Sequence, residues 1–377
     1  MKPHTFISKI ASQNLPTEYV IGSDLLSKLE ALAYFKTHVY DSFILICDEN
    51  TQKLFVGEVI ASLKKTSRKV TLSVVPVGEK AKDLKKIHSY LSPMLKVGIT
   101  INSAVVSLGG GVVSDIGGFI ASILLRGIDS VYIPTTLLAQ IDAAIGGKTG
   151  VDFWGQGNLM YKNMIGTFHQ PTLVISDVNT LTTLPKREIV SGLGEMVKYY
   201  VGWEKPNVAE LIAIKDTLTL KTPREWPKDS PEVEELKKTI LICQRLKALV
   251  VEKDPFESTG ERQKLNLGHT IGHAIESATK GKLSHGEAVA IGLVGTAKLS
   301  VAMKMLAPQK AQEIVDTVKM LGLPTQAKQV NTNDVLQAME MDKKGDSFVL
   351  IKDIGEIQSG IKIDSALVEK VVKEMCR

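Results

Sequence analysis

Three histidines of this chain have the spacing of a metal site or an acid–base site. His269 and His273 lie four residues apart in a segment with helical periodicity, so their imidazoles share one face of the predicted helix. His285 follows in a segment where Ser284 and Glu287 have capping-box spacing, which predicts a helix that begins there. A rigid helix start would hold the His285 imidazole in a fixed position.

One acidic residue completes the pattern. Glu195 stands among glycine and apolar residues in the segment 192–198, which indicates burial. A buried carboxylate is costly unless it is paired or bound to a metal ion. One carboxylate and two imidazoles form a catalytic zinc set that leaves positions open for substrate oxygens. The alternative is a salt bridge from Glu195 to Lys198, with histidines that are purely structural.

A triple glycine predicts a second kind of site. The apolar run 104–108 leads into Gly109, Gly110 and Gly111, and a small-residue helical stretch follows at 116–125. Glycines at a strand-to-helix turn let backbone N–H groups approach a pyrophosphate at a helix N-terminus. The spacing is not GxGxxG, and tight packing without a ligand explains such a turn equally well.

Polar residues follow two further predicted strands. Asp48 and Asn50 come after the strand that ends at Cys47, and Glu79 and Lys82 come after the run that ends at Val77. Ligands of open α/β sheets bind outside the carboxyl ends of the strands, where acidic side chains can accept hydrogen bonds from ribose hydroxyls. Ordinary turn chemistry is the alternative interpretation.

Basic residues cluster near other glycine-rich turns. The segments 146–150 and 161–163 are expected to be loops after the fourth strand, and Arg126 closes the helix behind the triple glycine. Lysine, arginine and asparagine together suit a phosphate that is bound and then released. Lys247 and Arg262 precede the histidine helix and could receive a carboxylate. Each of them could instead be a solvated surface charge.

The elements that must position these residues change type along the chain. Buried strands are predicted at 43–47, 70–77, 104–108, 130–133 and 172–175, and they alternate with amphipathic stretches. That alternation predicts a largely parallel sheet covered by helices. After Leu184 helical periodicity dominates, at 234–253, 266–278, 286–305 and 308–321, with one late strand at 348–351. The stretch 204–231 has weak periodicity and is expected to be a surface excursion.

Bulk properties narrow the class of protein. A length of 377 residues with 44% hydrophobic content predicts two domains, 1–184 and 185–377. The net charge of +5 is modest and the lysines are scattered, so we expect no nucleic-acid partner. We also expect no secretory signal and no membrane partner. Cys47, Cys243 and Cys376 are far apart and odd in number, which predicts reduced thiols and a cytoplasmic protein.

The ordered motifs resemble the 3-dehydroquinate synthase family from about Tyr19 to Gly355. The matching segments include GGGVVSDIGGF (109–119), PTTLLAQIDAAIGGKTG (134–150), KNMIG (162–166), GEMVKY (194–199), NLGHTIGHAIE (266–276), HGEAVAIG (285–292) and DKKG (342–345). No single segment would suffice, but the ordered set is specific. The resemblance implies an N-terminal Rossmann-like NAD-binding α/β domain followed by a mainly helical metal-binding domain.

The resemblance also implies residue roles. Glu195, His269 and His285 resemble the ligands of one divalent metal, zinc or cobalt. Residues that resemble the family's NAD contacts are Asp48, Asn50, Glu79, Lys82, Gly110, Gly111, Val112, Val113, Ser114, Asp115, Thr135, Thr136, Lys148, Lys162, Thr180, Leu181, Thr182 and Thr183. Residues that resemble substrate contacts are Asp142, Lys148, Lys162, Asn163, Lys198, Lys247, Arg262, Asn266, His273 and one of Lys343 or Lys344. Arg126 resembles a residue that reaches the neighbouring subunit's site, which implies a homodimer.

The implied reaction converts a small anionic sugar phosphate, 3-deoxy-D-arabino-heptulosonate 7-phosphate, into 3-dehydroquinate and phosphate. NAD removes a hydride, the resulting ketone acidifies the adjacent C–H so that phosphate can leave, and the hydride then returns before an aldol closure. His273 is expected near the proton transfers. The loop 152–161 is about five residues longer than is usual in the family.

Three alternatives stay open. A sister sugar-phosphate cyclase would act on sedoheptulose 7-phosphate or glucose 6-phosphate, of the 2-epi-5-epi-valiolone or 2-deoxy-scyllo-inosose synthase type. A metal-dependent polyol dehydrogenase would share the fold and the triple glycine but would release NADH. A member without catalytic activity would serve dimerisation or ligand sensing, although such a site has no physical reason to keep buried charges.

Overall fold

The computed structural model describes residues 3–10, 16–67, 69–155, 160–220, 230–341 and 347–376. Contacts divide the chain into two compact units, unit 1 at Met1–Thr183 and unit 2 at Leu184–Arg377. Each unit has its own core of buried apolar side chains.

Unit 1 is built on a seven-stranded sheet in the order β1-β2-β9-β6-β5-β3-β4. Its strands are β1 His4–Lys9, β2 Pro16–Gly22, β3 Ser42–Asp48, β4 Val70–Val75, β5 Ser103–Gly109, β6 Asp129–Pro134 and β9 Leu173–Asp177. All neighbouring pairs are parallel except β1 with β2. The five strands predicted from apolar runs are all present in this sheet.

Helices cover both faces of the sheet. They are α1 Ala33–Thr37, α2 Glu49–Leu63, α3 Leu84–Lys96 and α4 Gly111–Ile123, with 3₁₀ segments at Leu26–Ala31, Glu79–Ala81, Leu124–Arg126 and Val178–Thr183. Strand β3 shows why, because its side chains alternate between two cores. Phe43 and Leu45 join one buried cluster, whereas Ile44 and Ile46 join the other. The arrangement is a three-layer, Rossmann-like α/β unit.

Five of the described strands lack the long apolar runs on which the prediction relied. Strands β1 and β2 form an antiparallel edge. Strands β7 Lys148–Trp154 and β8 Met160–Phe168 form a separate antiparallel hairpin. The expectation that 146–150 and 161–163 are loops was therefore wrong for most of these residues, because cross-strand pairing stabilises polar and glycine-rich sequence there. The fifth is the polar strand β11 Glu356–Ile361 of unit 2.

Unit 2 is mainly helical. Its helices are α5 Lys186–Trp203, α6 Val208–Leu220, α7 Pro231–Lys253, α8 His269–Ala278, α9 His285–Ala302, α10 Pro308–Met320, α11 Thr332–Met341 and α12 Ser365–Met375. A small hairpin consists of β10 Phe348–Asp353 and β11 Glu356–Ile361. The predicted excursion at 204–231 is wrong in part, because α6 occupies its first half; residues 221–229 lie outside the described residues. The helix predicted at 286–305 is shorter than expected, because α9 ends at Ala302 and residues 303–305 follow it.

None of the described helices is both long enough and apolar enough to cross a bilayer. All three cysteines are buried free thiols. Burial raises the pKa of the Cys47 thiol to about 12, so this thiol is protonated at neutral pH.

Candidate functional site

The predicted metal ligands come together inside unit 2. Glu195 lies in the middle of α5, while His269 and His285 are the first residues of α8 and α9. The Glu195 Oε1 atom is 3.3 Å from His269 Nε2 and 3.2 Å from His285 Nε2. One carboxylate oxygen therefore faces two imidazole nitrogens supplied by two other helices.

Glycines adjacent to the ligands allow these helices to approach closely. A Cβ atom on Gly194 would lie 2.0 Å from the Gly286 carbonyl oxygen, and one on Gly286 would lie 1.8 Å from the Ser191 carbonyl oxygen. A Cβ atom on Gly292 would lie 2.0 Å from the Gly268 carbonyl oxygen. Helix α9 thus touches α5 and the start of α8 through backbone atoms, and these contacts determine the separation of the three ligands.

The second nitrogen of each ligand imidazole also has a partner. His269 Nδ1 lies 3.1 Å from the Leu267 carbonyl oxygen, and His285 Nδ1 lies 2.8 Å from Glu276 Oε2. An acceptor at Nδ1 favours the tautomer in which Nδ1 carries the hydrogen, so that Nε2 is available to bind a metal. Glu276 was not predicted from the sequence, although its position seven residues after His269 on one helix was a usable signal.

Electrostatics differ sharply among the three ligands. Burial alone would raise the pKa of Glu195, but Lys198, His269 and His285 outweigh burial and hold that pKa well below its usual value. Burial lowers the pKa of His269 to about 4. Burial also opposes the charge on His285, but the close carboxylates of Glu195 and Glu276 raise its pKa to about 10 in the absence of a metal. Glu195 is therefore a carboxylate at neutral pH.

The arrangement fits a divalent metal. Glu195 is 1% exposed, and neither of its carboxylate oxygens has a hydrogen bond of regular geometry among the described residues. A tetrahedral zinc with bonds of about 2.0–2.2 Å would separate its donor atoms by about 3.3–3.6 Å. The observed oxygen-to-nitrogen distances of 3.2 and 3.3 Å are close to that range. The donor set is therefore one that zinc or a similar divalent ion accepts.

The salt bridge considered as the alternative is also present. Lys198 Nζ lies 2.5 Å from the second Glu195 oxygen, Oε2, and both side chains are buried. The lysine and the imidazoles thus occupy different oxygens of one carboxylate. A third imidazole is close as well, since ring nitrogens of His269, His273 and His285 lie within 4.8 Å of one another.

Other predicted substrate residues of unit 2 lie on α7 and on the segment that follows it. Lys247 and Arg262 are buried, and Asn266 ends a 3₁₀ turn at Arg262–Asn266. The Asp254 carboxylate, itself 0% exposed, accepts hydrogen bonds from the backbone N–H groups of Ser258, Thr259 and Arg262 at 2.7–3.1 Å. Asp254 was not predicted. It fixes the backbone from which the Arg262 side chain projects.

The predicted nucleotide residues of unit 1 gather at one edge of the sheet. Strands β3, β4, β5, β6 and β9 are mutually parallel, so their carboxyl ends lie on the same side. The predicted residues lie at these ends in order: Asp48 ends β3 and Asn50 follows it, Glu79 and Lys82 come after β4, Gly110 to Asp115 after β5, Thr135 and Thr136 after β6, and Thr180 to Thr183 after β9. This is the edge where open α/β sheets bind ligands.

Several of these side chains have local structural partners. Asp48 caps α2, as its carboxylate accepts from the N–H groups of Asn50 and Thr51. The buried Lys82 ammonium donates to Asp115 Oδ2 at 2.7 Å and to Asn163 Oδ1 at 2.5 Å. A predicted substrate residue, Asn163, thereby contacts a predicted nucleotide residue, Lys82. Its backbone adopts a left-handed conformation with φ 54°.

The other predicted residues are less enclosed. Lys162 is exposed and lies 3.9 Å from Glu79, Lys148 is exposed at the start of β7, and Asp142 is half-buried in a short π-helix at Ala139–Ala143. Arg126 is exposed and has a left-handed backbone with φ 71°. Lys343 and Lys344 lie outside the described residues.

Comparison with known proteins places this chain in a family. A model described as 3-dehydroquinate synthase N-terminal matches residues 72–191, and one described as 3-dehydroquinate synthase C-terminal matches residues 192–345. The chain belongs to the 3-dehydroquinate synthase family. A relative named 3-dehydroquinate synthase from Pelobacter propionicus is 39% identical over 83% of this chain and 84% of its own length. Another from Thermodesulfovibrio yellowstonii is 40% identical over 88% of this chain and 89% of its own length.

Solved structures share the fold at lower identity. A 2-deoxy-scyllo-inosose synthase complexed with carbaglucose-6-phosphate, NAD⁺ and Co²⁺ has a TM-score of 0.84 at 22% identity, covering 99% of this chain and 100% of that one. A 2-epi-5-epi-valiolone synthase from Streptomyces hygroscopicus subsp. jinggangensis with NAD⁺ and Zn²⁺ bound has a TM-score of 0.79 at 24% identity, covering 95% of this chain and 96% of that one. At these identities the likeness establishes the fold.

Proposed function

We propose that this chain is a 3-dehydroquinate synthase, a carbon–oxygen lyase that converts 3-deoxy-D-arabino-heptulosonate 7-phosphate into 3-dehydroquinate and phosphate in the shikimate pathway of aromatic amino acid biosynthesis. The observation that carries the proposal is the buried Glu195 carboxylate with two imidazole nitrogens at 3.2 and 3.3 Å, in a chain matched by both family models. Burial of all three thiols is compatible with action in the cytoplasm.

Glu195, His269 and His285 would hold one divalent ion, zinc or cobalt. When bound, the metal would polarise a substrate hydroxyl, and NAD would accept a hydride and later return it. Lys198 would keep Glu195 ionised, since its ammonium contacts the other carboxylate oxygen at 2.5 Å. His273, whose ring nitrogen is within 4.8 Å of those of both ligand histidines, would transfer protons beside the metal.

NAD would bind unit 1 at the carboxyl edge of the sheet. Gly110 precedes the first turn of α4, where backbone N–H groups and the helix dipole favour a pyrophosphate. Contact between Gly110 and Thr136 supports this placement, because a Cβ atom on the glycine would lie 3.1 Å from the Thr136 methyl group. The acidic residues Asp48 and Glu79 would accept hydrogen bonds from ribose hydroxyls.

The anionic substrate would be bound by fixed positive charges. Arg262 would bind its carboxylate, because a buried guanidinium offers a rigid, planar pair of donors. Lys148, Lys162, Asn163, Lys247, Asn266 and one of Lys343 or Lys344 would contact the phosphate and hydroxyl groups, with Asp142 as a partner of the basic residues. These roles are proposals that rest on the family resemblance and on the burial and positions described above.

We propose further that the protein is a homodimer in which Arg126 reaches the partner's site. Arg126 adjoins an apolar surface at the end of α4 and on the β7–β8 hairpin, with exposed side chains of Ile123, Leu125, Phe153, Trp154, Tyr161 and Met164. Exposed apolar clusters of this kind mark protein interfaces. Light scattering should give a dimer mass for the wild type and a monomer mass for Leu125→Asp, and a monomeric wild type would contradict the proposal.

The function is tested with metal-loaded protein, 3-deoxy-D-arabino-heptulosonate 7-phosphate and sub-stoichiometric NAD. We expect many turnovers of phosphate release per NAD, with 3-dehydroquinate detected by a coupled dehydratase. Glu195→Gln should abolish turnover, whereas the matched surface variant Glu369→Gln should retain it. Phosphate release only from sedoheptulose 7-phosphate or glucose 6-phosphate would indicate a sister cyclase, and stoichiometric NADH from a polyol would indicate a dehydrogenase.

A further inference from the structure

Helix α8 presents three polar groups on a single face. His269, His273 and Glu276 occupy positions i, i+4 and i+7, which project in nearly the same direction from a helix. The Glu276 Oε2 atom reaches His285 Nδ1 on α9 at 2.8 Å. The two side chains are 25% and 29% exposed, so the contact is partly shielded from water.

This contact controls a degree of freedom that the backbone leaves open. Ser284 and Glu287 form the capping box that holds the start of α9, and this fixes the Cα position of His285. The capping box does not fix rotation of the imidazole about its side-chain bonds. An acceptor at Nδ1 does, and with Nδ1 held by Glu276 the opposite nitrogen points to Glu195 Oε1 at 3.2 Å.

The two ligand imidazoles are held by chemically different acceptors. His269 Nδ1 contacts the neutral carbonyl oxygen of Leu267, only two residues away in the chain. His285 Nδ1 contacts a carboxylate from another helix. A carboxylate polarises an imidazole more strongly than a carbonyl does, so that the ring becomes a better metal ligand.

We propose that Glu276 is a positioning residue of the metal site, which orients the His285 ring and strengthens His285 as a ligand. The inference rests on the ligand set proposed above. Outer acceptors of this type change metal affinity by about ten- to a hundredfold. A partly exposed ion pair with no such role adds little to the stability of a protein.

The test measures zinc affinity directly, by competition with a chromogenic chelator, for the wild type, Glu276→Gln and Glu276→Leu. Glutamine removes the charge but keeps one acceptor oxygen, while leucine removes both. We expect the zinc dissociation constant to rise about tenfold or more for Glu276→Gln and further for Glu276→Leu. Glu369→Gln, which removes an exposed carboxylate of α12 paired with Lys373, is the matched control and should bind zinc as the wild type does.

Two readouts separate this inference from its alternatives. The melting temperature of the metal-free Glu276→Gln protein should fall only slightly, by the loss of a partly exposed ion pair with His285, whereas the zinc-loaded variant should fall further below the zinc-loaded wild type. Zinc affinity within twofold of wild type for both Glu276 variants, with Glu195→Gln unable to bind zinc, would overturn the inference and leave the ligand set intact. Unchanged zinc affinity in Glu195→Gln would show that the ligand set itself is wrong.

Discussion

The two units hold their candidate residues in different ways. In unit 2 the ligand-bearing helices meet through glycines whose added Cβ atoms would strike backbone carbonyl oxygens, as at Gly194, Gly286 and Gly292. In unit 1 the glycines of α4 face side chains instead: Gly117 meets the Ser107 hydroxyl and Gly118 the Tyr132 hydroxyl. Side-chain ends can move and helix backbones cannot do so cheaply. The glycines beside the metal ligands should therefore tolerate substitution less well than the glycines of α4 in unit 1.

The largest effect is expected from Gly292→Ala. The new methyl group would lie 2.0 Å from the Gly268 carbonyl oxygen and 2.8 Å from the Gly272 nitrogen, so α8 and α9 must separate. Separation moves His269 away from His285. We expect loss of stoichiometric zinc and a fall of about 3 kcal/mol in the free energy of unfolding, measured by metal analysis and urea denaturation.

Gly57→Ala is the matched control for that variant. Gly57 lies inside α2, and a Cβ atom there would meet nothing within 4 Å. The free energy of unfolding should stay constant or rise by about 0.5–1 kcal/mol, because alanine favours helix. Equal zinc binding by Gly292→Ala and the wild type would remove the proposed difference between the units.

A smaller effect is expected in the side-chain network around Lys82 in unit 1. Lys82 is 2% exposed and bridges Asp115 and Asn163, so Lys82→Met removes the ammonium that both side chains contact. We expect a loss of about 2–3 kcal/mol in the free energy of unfolding and weaker NAD binding by calorimetry. Zinc content should not change. A loss of zinc together with NAD would contradict the assignment of Lys82 to the nucleotide residues alone.

Asp254 tests whether side-chain acceptors also matter in unit 2. Burial acts to raise its pKa, but three backbone N–H donors lower that pKa to about 2. A depressed carboxylate pKa stabilises the fold above the ordinary value of 3.8, and that stabilisation is lost as the pH falls towards 2. Asp254→Asn should therefore cost about 2 kcal/mol at pH 7 and less at pH 3. A cost that does not vary with pH would contradict the assignment.

The smallest effect is expected from Gly118→Ala in unit 1. The new methyl group would lie 2.0 Å from the Tyr132 hydroxyl and 2.5 Å from the Thr149 methyl. Because both are side-chain atoms, we expect a cost of only about 1–2 kcal/mol. Adding Tyr132→Phe should recover part of it in a double-mutant cycle monitored by thermal unfolding. A cost equal to that of Gly292→Ala would mean that the two units do not differ.

The sequence predicted the parallel sheet and most helices because apolar periodicity is strong in both. It did not predict β1, β2, β7, β8 or β11, whose residues are polar, short-run or glycine-rich and are stabilised by pairing with another strand. The gathering of Glu195, His269 and His285 followed from residue chemistry and family resemblance. Asp254 and Glu276 were missed because their roles depend on contacts that spacing alone does not reveal.

The backbone contact between Gly292 and Gly268 also has an evolutionary consequence. At most buried positions the amino acid can change during evolution, because a larger side chain is compensated by a smaller side chain at the residue it contacts. Here the atom opposite Gly292 is a carbonyl oxygen, which every amino acid possesses. No partner substitution can therefore make room for a side chain. Changes in this part of the protein would have to leave Gly292 as it is, and its constraint would leave no covarying pair.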